Sequence, residues 1–558
     1  MTVYGGPRVD AIKHCATCGG GVQRLALNPH HAFTLCKGNA HFRIVGRPQH
    51  YAVPAESPMA LFHIPSPPTP LARETKWTMP DPGPGTAWNA LNHRVARCVL
   101  TPDRRAIMDE LVPHMLVLAK WTGHHGKVPF AAVYANYPAK KKRAYMLAEA
   151  ALLMLGGHCT EAHAMITMFV KLELYKVDPS KIPDARAIQF RTKEYTLELA
   201  SYLKGAEEAM YKLSDVPGFG YGHHFAKNLN MEQRGDALKA LDDDVAGHWV
   251  CLDISRFDSS VSLAMKQLIE IPFFRATCDD DVNLRELLQW QCNNRGTYRQ
   301  GDDTIRYQVR GGRMSGDANT AFGNCVIVST CLARLGEIVG GKFGFVDDGD
   351  DSVFKSTKYV PDDLIISAFA RWGFQVKIEC RPTRLEEVEF CQSRPVEMAR
   401  GKYKMVRNPI RVITRSLASV KLREPKERVT FMRTVALGEL SLNPGVPVLQ
   451  AFFKRMIEEC DKQLSTRQRK RGGLNKAAIS DSYRRAALLP KDWTKGRTKP
   501  VSQLTRRSFD AAWGFQIQHQ LVEEKIMGAW SMPLLSTVRG QGPTLEDWEF
   551  PWYRPEDA

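Results

Sequence analysis

The sequence predicts an α+β protein in which antiparallel strands are flanked by helices. The clearest strand signal is FGFVDDGDDSVF, Phe343–Phe354, where two apolar runs surround a Gly-Asp-Asp turn, as in a β-hairpin. The clearest helix signals are apolar residues spaced about 3.6 positions apart, around Asp103–Leu118 and Lys140–Leu155. A glycine-rich loop that leads into a long apolar segment, Gly311–Gly336, predicts a further helix.

Length and composition indicate a large globular protein with a polyanionic partner. The chain has 558 residues, 44% hydrophobic and 25% charged, which suits roughly three or four domains or one large multi-part enzyme. Its net charge of +17 favours nucleic acid or an anionic membrane surface as partner and does not distinguish them. No run approaches 18 uncharged apolar residues and the N-terminus lacks an apolar core, so we expect neither a transmembrane span nor a secretory signal. Thirteen scattered cysteines are typical of reduced thiols in a cytosolic compartment.

The first 45 residues contain a cluster of cysteines and histidines. Cys15 and Cys18 form a Cys-x-x-Cys pair, and Cys36 with a histidine such as His31 would complete a tetrahedral zinc site. Free thiols in a loop-rich segment are the alternative. The next segment, residues 46–87, is rich in proline and predicts an extended linker, because proline disfavours helix at the preceding residue.

Four aspartates crowd the tip of the predicted hairpin, namely Asp347, Asp348, Asp350 and Asp351. Because clustered carboxylates repel one another, a hairpin that serves only stability would not gather four of them. A divalent cation removes that repulsion, and hard oxygen ligands of this kind suit Mg²⁺ or Mn²⁺. The alternative is an ordinary solvated Asp-Gly turn.

Two further segments would complete a site around this hairpin. A buried apolar run predicts a strand that ends at Asp253, followed by a turn or helix that carries Asp258. After a loop at Ser315, Thr320 and Asn324 lie four positions apart and therefore share one face of the predicted helix. Small polar groups there suit a ribose hydroxyl or a template strand. The alternative is a capped helix with a polar face.

Two basic segments predict contacts with phosphate. Between residues 168 and 204, Lys171, Arg186 and Arg191 are among the cations that would project from paired strands toward a triphosphate. Residues 462–507 contain fourteen Lys or Arg and two acidic residues, a balance that suits a nucleic-acid backbone. The alternatives are an exposed ribbon without a specific ligand and a partly disordered basic tail.

Taken in order, these segments resemble the motifs of viral RNA-dependent RNA polymerases. DISRFD resembles motif A, SGDANTAFGN motif B and VDDGDDSVF motif C, and KLE…DARAIQFR resembles the fingers motif that binds the incoming triphosphate. WGFQVKIE and EFCQSRPV, which we predict to form a strand pair at the edge of the same domain, fall where motifs D and E should. The residues of these motifs are similar in particular to those of the tombusvirus-like polymerases of positive-strand RNA viruses. The resemblance covers residues 170–420 firmly and 88–460 loosely.

The resemblance implies a right-hand polymerase fold of fingers, palm and thumb, with an antiparallel palm sheet flanked by helices. Residues 88–247 would form mainly fingers, 248–400 the palm with a fingers insert at about 270–308, and 401–558 the thumb with a basic C-terminal region. It also implies an RNA-dependent RNA polymerase that replicates a positive-strand viral genome from NTPs on an RNA template.

The resemblance further assigns roles to the candidate residues. Asp253 and Asp350 would bind two Mg²⁺ or Mn²⁺ ions, with Asp351 in support. Three basic residues would bind the NTP phosphates, namely Lys171, Arg186 and Arg191. Four polar residues would recognise the ribose, namely Asp258, Ser315, Thr320 and Asn324. Lys377 would be the general acid that protonates pyrophosphate.

Two positions depart from the family pattern. Ala185 stands where the family usually has proline, which removes a φ restraint from the loop that presents Arg186. Asp348 stands where a neutral residue commonly precedes Gly-Asp-Asp, and it would either raise metal affinity or point away from the site.

Because no anchor is visible, a separate viral replication protein would have to bring the chain to membranes in the host cytoplasm.

Two other functions stay open at this point. A reverse transcriptase would share the palm and the metal ions, but it normally carries an aromatic steric gate and a YxDD turn. The polar residues Asp258 and Asn324 favour ribonucleotides instead. A non-enzymatic RNA-binding virion protein would account for the net charge, but not for three carboxylate and amide motifs in order.

Overall fold

A computed structural model gives the fold of the protein, in which two main sheets are packed among helices. The described residues are 100–176, 185–419, 425–475 and 492–535, with the shorter stretches 13–14, 21–22, 32–37, 39–45, 62–63, 77–80 and 82–96 and the single positions 67 and 69.

The strands and helices are numbered in chain order. The strands are β1 Lys13–His14, β2 Gly21–Val22, β3 Ala32–Lys37, β4 Ala40–Val45, β5 Phe62–His63, β6 Trp77–Thr78, β7 Ile166–Val170, β8 Tyr175–Lys176, β9 Ala187–Phe190, β10 His248–Ile254, β11 Asn293–Gln300, β12 Asp303–Arg310, β13 Phe343–Asp347, β14 Asp351–Ser356, β15 Val376–Cys380, β16 Ser393–Ala399, β17 Lys402–Arg407 and β18 Ala418–Ser419. The helices are α1 Pro84–Ala90, α2 Arg104–Ala106, α3 Val112–Thr122, α4 Phe130–Tyr134, α5 Ala139–Met154, α6 Lys193–Met210, α7 Met231–Asp244, α8 Phe257–Ser260, α9 Leu263–Met265, α10 Ile271–Thr277, α11 Val282–Trp290, α12 Thr320–Val339, α13 Asp362–Arg371, α14 Pro409–Ser416, α15 Pro425–Leu442, α16 Leu449–Gln463, α17 Thr466–Lys470, α18 Gln503–Trp513 and α19 Ile517–Ala529. Three π-helical segments adjoin them, Leu91–Val95, Ile107–Leu111 and Lys266–Glu270, and three 3₁₀ turns occur at Glu161–Ala164, Leu385–Glu387 and Trp493–Lys495.

The central sheet has four strands in the order β13-β14-β10-β15, and every pair is antiparallel. β10 is paired with β14 on one side and with β15 on the other. In this register the Cα atom of Asp253 is the partner of Asp351 in one pair and of Lys377 in the other. Three charged residues therefore lie side by side at one end of the sheet.

Both faces of β10 are buried, which explains why this strand is a nearly continuous apolar run. Val250, Leu252 and Ile254 pack into the largest apolar core, among helices that include α12. The alternate residues Trp249 and Cys251 pack into a smaller core on the other face, which β13 and β14 also enter. Successive strand side chains point to opposite faces, so burial on both faces needs apolar residues at every position.

Helix α12, Thr320–Val339, is the central helix of the largest core. By length and composition alone it is apolar enough to cross a membrane, and it is the single such helix among the described residues. However, 78% of its most apolar window is buried inside the protein. Its apolar character is therefore explained by packing against the sheet and the neighbouring helices.

A second sheet has six strands in the order β3-β4-β12-β11-β7-β9, antiparallel except for the pair of β11 and β7. One of its faces is apolar and packs against α1, with Phe42, Ile305 and Met168 among its buried residues. The other face is exposed, so its strands alternate between buried and accessible residues. β11 and β12 come from the segment between the two carboxylate motifs, so that segment extends a sheet begun by earlier strands.

The C-terminal part has its own core. Helices α15, α16, α18 and α19 pack around Phe452, Phe453 and Trp530, and the β16–β17 hairpin lies against this group. This core is separate from those of the two sheets. The central sheet, the six-stranded sheet and the C-terminal helices thus each pack on an apolar core.

Most predicted elements are confirmed. The hairpin is formed by β13 and β14, and the Lys140–Leu155 signal corresponds to α5. The Asp103–Leu118 signal corresponds to α2, a π-helical segment and α3, and the Asp103 carboxylate accepts hydrogen bonds from the first helical N–H groups.

The predicted strand pair at residues 372–382 and 387–396 is wrong. β15 lies within the first of these segments, and it pairs with β10 at the edge of the central sheet. β16 pairs instead with β17 across a turn that contains Gly401. Each of the two segments thus pairs with a different strand. The alternation of residues that predicts a strand does not show which strand it pairs with.

The zinc prediction falls mostly outside the described residues. Cys15, Cys18 and His31 are not described, and for Cys36 the structure gives only its place in β3. Both the zinc site and the extended linker therefore stay predictions.

We expect His224 to make the stability of the fold depend on pH. Its ring is fully buried, stacks near Phe345 with centroids 5.1 Å apart, and accepts a hydrogen bond from the Val216 N–H at Nε2, 3.1 Å. Burial lowers the pKa of His224 to about 4. The folded state thus binds fewer protons than the unfolded state, and stability present above the ordinary histidine pKa is lost as the pH falls from about 6.5 toward 4, by up to roughly 3 kcal/mol.

Urea titrations across this pH range measure the effect. In His224→Gln an amide replaces the ring, and the free energy of unfolding should fall less steeply between pH 7 and pH 4.5 than in the unaltered protein. His248→Gln, at an exposed histidine, is the control and should leave the pH dependence unchanged. Parallel pH curves for His224→Gln and the unaltered protein would contradict the assignment.

Candidate active site

The Gly-Asp-Asp turn between β13 and β14 is held by its own hydrogen bonds. Gly349 has a φ of +97°, a conformation that favours glycine, and its N–H donates to the Asp347 carboxylate at 2.6 Å. The Asp348 N–H donates to the Asp351 carbonyl at 2.9 Å. A Cβ atom at Gly349 would lie 3.4 Å from the Cβ of Asn324, so the turn packs directly against α12. The turn is thus fixed beside the helix that carries the other polar candidates.

Asp253, Asp350 and Asp351 lie together at the end of the central sheet. Asp253 opposes Asp351 in the register, and the Ile254 N–H donates to the Asp350 carbonyl at 3.1 Å. Burial, with the charges of Glu379 and Asp350, raises the pKa of Asp253. Burial, with the charges of Asp350 and Asp253, raises the pKa of Asp351 to about 7. Burial first, and the neighbouring carboxylates second, therefore make the charged forms of Asp253 and Asp351 less favourable than in water.

The other two aspartates of the turn have different surroundings. Asp347 is fully buried beneath the turn, and burial raises its pKa well above the ordinary value. Asp348 forms ion pairs with Lys227 at 2.5 Å and with Arg234 at 3.0 Å. Although burial opposes it, those two cations hold the pKa of Asp348 below its ordinary value. Of the two alternatives for Asp348, the structure favours the one in which it points away from the metal ligands.

Asp253 and Asp350 line a cavity of about 410 Å³. Its other lining residues are Arg94, Val95, Lys171, Arg186, Ala187, Ile188, Gln189, Ile254, Arg256, Phe257, Asp258, Ser259, Val309, Gly312, Arg313, Met314 and Ser315. The cavity therefore brings three carboxylates and several basic residues from distant segments into one space. Five of the candidate residues lie outside this lining, namely Asp351, Thr320, Asn324, Arg191 and Lys377.

The chain contains a second Gly-Asp-Asp, residues 301–303, in the turn between β11 and β12. Asp302 is exposed, and Asp303 begins β12 opposite Gln300. Neither aspartate lines the cavity. Identical residues in two hairpins thus differ in what lies opposite them, because only the 349–351 turn faces Asp253.

Lys171 and Arg186 enter the cavity from neighbouring chain segments. The Lys171 N–H donates to the Arg186 carbonyl at 2.8 Å, and both side chains pair with Glu173, at 2.8 and 3.4 Å. Although burial favours its protonated form, the two cations hold the pKa of Glu173 below the ordinary value. The two basic side chains are 40% and 57% exposed, so they are accessible to an anionic ligand. Glu173 is the internal anion with which that ligand would compete.

Arg191 is not brought to the cavity. Its guanidinium is buried and donates to the Asp317 carboxylate at 2.7 and 3.2 Å and to the Ala164 carbonyl at 2.6 Å. It also donates to Asn294 at 2.5 Å. The arrangement does not support a direct phosphate contact by Arg191. In this structure the residue ties β9 to the loop that follows β12.

A buried network fixes the orientation of Asn324. The Arg313 Nε donates to the Asn324 Oδ1 at 2.8 Å, so the amide nitrogen of Asn324 is turned toward Asp258, 3.4 Å from its Oδ1. Arg313 is held in turn by Glu270, and its N–H donates to the Asp258 carbonyl at 2.6 Å. Asn319 also donates to Glu270, at 2.8 Å. Arg313 therefore contacts both residues that the resemblance assigns to ribose recognition, Asn324 through its guanidinium and Asp258 through its backbone N–H.

Ser315 and Thr320 shape the loop before α12. The Ser315 hydroxyl donates to the Ala187 carbonyl at 3.1 Å and accepts from the Gln189 N–H at 3.2 Å. A Cβ atom at Gly316 would lie 2.5 Å from the Gln189 carbonyl oxygen, so this close approach requires glycine. Thr320 donates to the carbonyls of two loop residues rather than facing the cavity. The Ser315 hydroxyl thus holds the loop against β9, and the Thr320 hydroxyl ties the loop to the start of α12.

Lys377 is exposed on β15 beside Asp253. Its amino group lies 3.4 Å from the Glu379 carboxylate, and its side chain is 64% exposed. It does not line the cavity. Its position across the register from Asp253 leaves it near the carboxylates, at the outer edge of the site.

The site residues fit a divalent metal by their chemistry. Carboxylate oxygens are the donors that Mg²⁺ prefers, and Mg²⁺ commonly binds through one or two carboxylates together with substrate phosphates and water. Burial, together with neighbouring carboxylates, raises the pKa values of Asp253 and Asp351, and a cation would offset both effects. Across the described residues, no group of three or more His, Cys, Asp or Glu side chains is already arranged to hold an ion. A metal would therefore be held jointly by the protein and its ligands.

Sequence reasoning missed several residues of this site. Arg313 and Glu270 form the buried pair that orients Asn324, and Arg256 lines the cavity with a φ of +51°. Glu173 pairs with two of the basic candidates. Arg256 lies inside the quoted motif A and Arg313 inside the Gly311–Gly336 segment, and their charge within otherwise apolar or small-residue stretches was an available signal. Glu270 gave no such signal, because it lies in an amphipathic helical segment.

Comparisons with known proteins agree with this geometry. The family model described as "Viral RNA dependent RNA polymerase" matches residues 100–534. An RNA-directed RNA polymerase of Tobacco necrosis virus (strain D) is 34% identical over 57% of this chain and 44% of its own length. That of Melon necrotic spot virus is 31% identical over 70% of this chain and 48% of its own length, and that of Tomato bushy stunt virus (strain Cherry) is 30% identical over 80% and 52%. The chain spans about half the length of these curated relatives.

Among solved structures, a Sicinivirus 3Dpol RNA dependent RNA polymerase is similar, with a TM-score of 0.52 over 75% of this chain and 91% of that one. The sequence identity is 14%, so the likeness concerns the fold alone. The predicted α+β, right-hand fold class is thereby confirmed.

We expect Gly323 to be essential to the buried network. A Cβ atom there would lie 2.2 Å from the Glu270 Oε1 and 2.6 Å from the Arg313 Nη2. Gly323→Ala should therefore lower the free energy of unfolding by about 2–3 kcal/mol, because neither buried partner has room to move. Urea titration with tryptophan fluorescence measures the change.

Gly528→Ala is the matched control. Gly528 also lies within a helix, and a Cβ atom there would meet nothing within 4 Å. Alanine at that position should stabilise the protein by about 0.5–1 kcal/mol through helix propensity. Equal effects of the two substitutions would contradict the importance of the Glu270–Arg313 contact.

Proposed function

This chain belongs to the family of viral RNA-dependent RNA polymerases, similar to those of tombusvirus-like viruses, and we propose on that premise that it extends RNA on an RNA template. The observation that carries the proposal is the opposition of Asp253 to the Gly-Asp-Asp turn at a cavity that also contains Lys171 and Arg186. The reaction would be nucleotidyl transfer from an NTP to the 3′-hydroxyl of the growing strand. The family favours this activity over a reverse transcriptase or a non-enzymatic binding protein.

We assign the palm to residues 248–400, with a fingers insert at about 270–308. Residues 88–247 would then be mainly fingers, and 401–558 would be thumb and basic C-terminal region. The four-stranded sheet and its flanking helices agree with a palm, and the separate C-terminal core agrees with a thumb.

Asp253 and Asp350 would hold two Mg²⁺ or Mn²⁺ ions, with Asp351 in support. Such ions, when bound, favour the deprotonated 3′-hydroxyl and neutralise the triphosphate and the leaving pyrophosphate. The protein's own task is to bring the carboxylates together, and the antiparallel register of β10 and β14 does so. Burial and neighbouring carboxylates raise the pKa values of Asp253 and Asp351, and a bound cation would offset both effects.

Lys171 and Arg186 would bind the triphosphate. Both are now paired with Glu173, so phosphate oxygens would replace one carboxylate in their contacts. In-line transfer needs little covalent chemistry from the protein, and positioning with charge neutralisation supplies most of the catalysis. Arg191 would act indirectly, because it holds β9 and the Ser315 loop together.

Asp258 and Asn324 would recognise the ribose. The fixed amide of Asn324 presents N–H groups toward Asp258, so a 2′-hydroxyl beside the pair would find both a donor and an acceptor. Ser315 and Thr320 would support this contact through the loop. Lys377 would supply the proton to pyrophosphate from the edge of the site, next to Asp253.

The substrates and partners follow from this assignment. NTPs, a template strand and the product strand would be RNA, and the template would be the positive-strand genome of a virus and its complement. A separate viral replication protein would anchor the chain to membranes in the host cytoplasm. A structural zinc held by Cys15, Cys18, Cys36 and His31 is part of the proposal for the N-terminal segment.

We expect Asp350→Ala to abolish RNA synthesis. Loss of this carboxylate removes one of two opposed ligands for the metals, and incorporation of labelled NTPs in a primer-extension assay should fall by about 100-fold or more. Full incorporation by this variant would show that the polymerase assignment is wrong.

The second Gly-Asp-Asp turn provides the control. Asp302→Ala removes an exposed aspartate from the same three-residue sequence in another hairpin, away from the cavity. It should leave incorporation unchanged. A comparable loss in both variants would place the effect in stability or charge rather than in metal binding.

We expect Arg313→Lys to weaken discrimination between NTPs and dNTPs. Arginine contacts Asn324 through Nε and Glu270 through Nη1. Lysine has a single amino group, which cannot replace both nitrogens, so the Asn324 amide becomes free to rotate. The ratio of kcat/KM for an NTP over the matching dNTP should fall by about 10-fold, as expected for one charged hydrogen bond.

Arg506→Lys is the matched control for this substitution. Arg506 is also a buried arginine with two hydrogen bonds to one carboxylate, that of Glu524, but it lies among the C-terminal helices. It should destabilise the protein to a similar degree without changing the NTP to dNTP ratio. An unchanged ratio in Arg313→Lys would count against the role of the network.

A further inference from the structure

The exposed face of the six-stranded sheet carries arginines that the catalytic proposal does not use. Side chains alternate between the two faces of a strand, and the outward positions of β4, β11 and β12 include Arg43, Arg295, Arg299, Arg306 and Arg310. We call these five residues the arginine face. All five are exposed, whereas the residues that alternate with them include six that are buried in the apolar core, namely Phe42, Ile44, Tyr298, Ile305, Tyr307 and Val309.

The register places like charges beside one another. Arg43 and Arg306 are direct cross-strand partners, an arrangement that destabilises a sheet. On its other side Arg306 opposes Thr297, so Arg295 and Arg299 are its diagonal neighbours, at about 7–8 Å. A surface built only for stability would separate these charges.

Few carboxylates compensate the arginine face. In the part of the chain that the structure describes, Arg295 pairs with Glu161 at 3.4 Å, and the other four arginines have no ion pair. The remaining outward positions of the three strands are uncharged or carry His41. Elsewhere on the surface, two arginines share one carboxylate, since Arg275 and Arg285 both pair with Asp280. The described part of the fold therefore supplies few anions to the arginine face, and an anionic ligand would neutralise its charge.

The same face of the sheet continues into an aromatic pair. Phe169 on β7 and Phe190 on β9 are 47% and 38% exposed, with ring centroids 5.8 Å apart. Phe169 opposes Ile188, which lines the cavity. Because adjacent strands are about 4.8 Å apart, β9 and β12 are separated by about 15 Å. Arginines, exposed rings and the cavity edge thus lie within reach of one short flexible ligand.

We propose that the arginine face and the Phe169–Phe190 pair bind single-stranded RNA outside the catalytic cavity. Arginine binds phosphate oxygens through paired N–H groups, and exposed aromatic rings stack on unpaired bases. Continuity with the cavity favours RNA over an anionic membrane, because the bound strand leads to the site where RNA is used. The identity of the ligand as template or product rests on the proposed function, whereas binding itself requires no catalysis.

The salt dependence of RNA binding tests the arginine face. A double variant, Arg299→Ala with Arg306→Ala, is compared with the unaltered full chain by fluorescence anisotropy of a labelled single-stranded RNA at several salt concentrations. Each phosphate contact contributes about 0.7 to the slope of log K against log salt, so the slope should decrease in magnitude by about 1.4. An unchanged slope would overturn the proposal.

A control of equal charge separates this effect from net charge. Lys140→Ala with Arg143→Ala removes two exposed cations from α5 and should leave the slope unchanged. Equal slopes in the two double variants would also overturn the proposal, because binding would then follow total charge.

The aromatic pair has its own test. Phe169→Leu with Phe190→Leu should weaken binding by about fivefold or more at every salt concentration without changing the slope. Unchanged affinity would remove the rings from the proposed site. Binding of the unaltered chain to phosphatidylserine vesicles that is lost in the arginine variant, with RNA binding retained, would assign the face to a membrane and overturn the proposal.

Primer extension by the same proteins distinguishes this inference from the proposed function. The RNA-binding face alone would be overturned if the unaltered chain incorporates nucleotides and the arginine variant shows no change in the salt dependence of RNA binding. A changed slope in a chain that incorporates no nucleotide would overturn the polymerase assignment alone.

Discussion

The register between β10 and β14 is the constraint on which the rest of the site depends. It sets Asp253 opposite Asp351 and brings the carbonyl of Asp350 to the N–H of Ile254. A shift of one residue would turn the side chains of β10 to the opposite face and separate the carboxylates. The register is secured by burial on both faces, since alternate residues of β10 enter two different apolar cores. Packing thus opposes the electrostatic repulsion at the end of the sheet.

The four aspartates of the turn show how one short segment divides its charges. Asp347 supports the turn from below, Asp348 is neutralised by Lys227 and Arg234, and Asp350 and Asp351 are left to face Asp253. Neutralising one of the four reduces the repulsion among the remainder. A turn rich in aspartate can therefore be both stable and able to bind a cation.

Buried ion pairs connect the segments that surround the cavity. Glu270 and Arg313 join the segment after the first carboxylate motif to the start of α12, and Arg191 with Asp317 joins β9 to the loop before α12. Breaking either pair would leave a buried charge without a partner, which is far more costly than losing an exposed pair. These pairs explain how loops from three regions hold one geometry.

The sequence by itself determined the type of element and the chemistry of the site. Periodicity predicted α5, the β13–β14 hairpin and the long helix α12, because a buried face imposes a spacing on apolar residues. Residue type predicted carboxylates for a cation and basic residues for phosphate. Only the tertiary structure decided which groups meet: β15 with β10 rather than with β16, Arg191 with Asp317, and the 349–351 turn rather than the 301–303 turn with Asp253. Those choices depend on strand register and on charge pairs between residues far apart in sequence. Arg191 and Asp317, for example, are 126 positions apart. A local sequence pattern predicts neither the register nor such a pair.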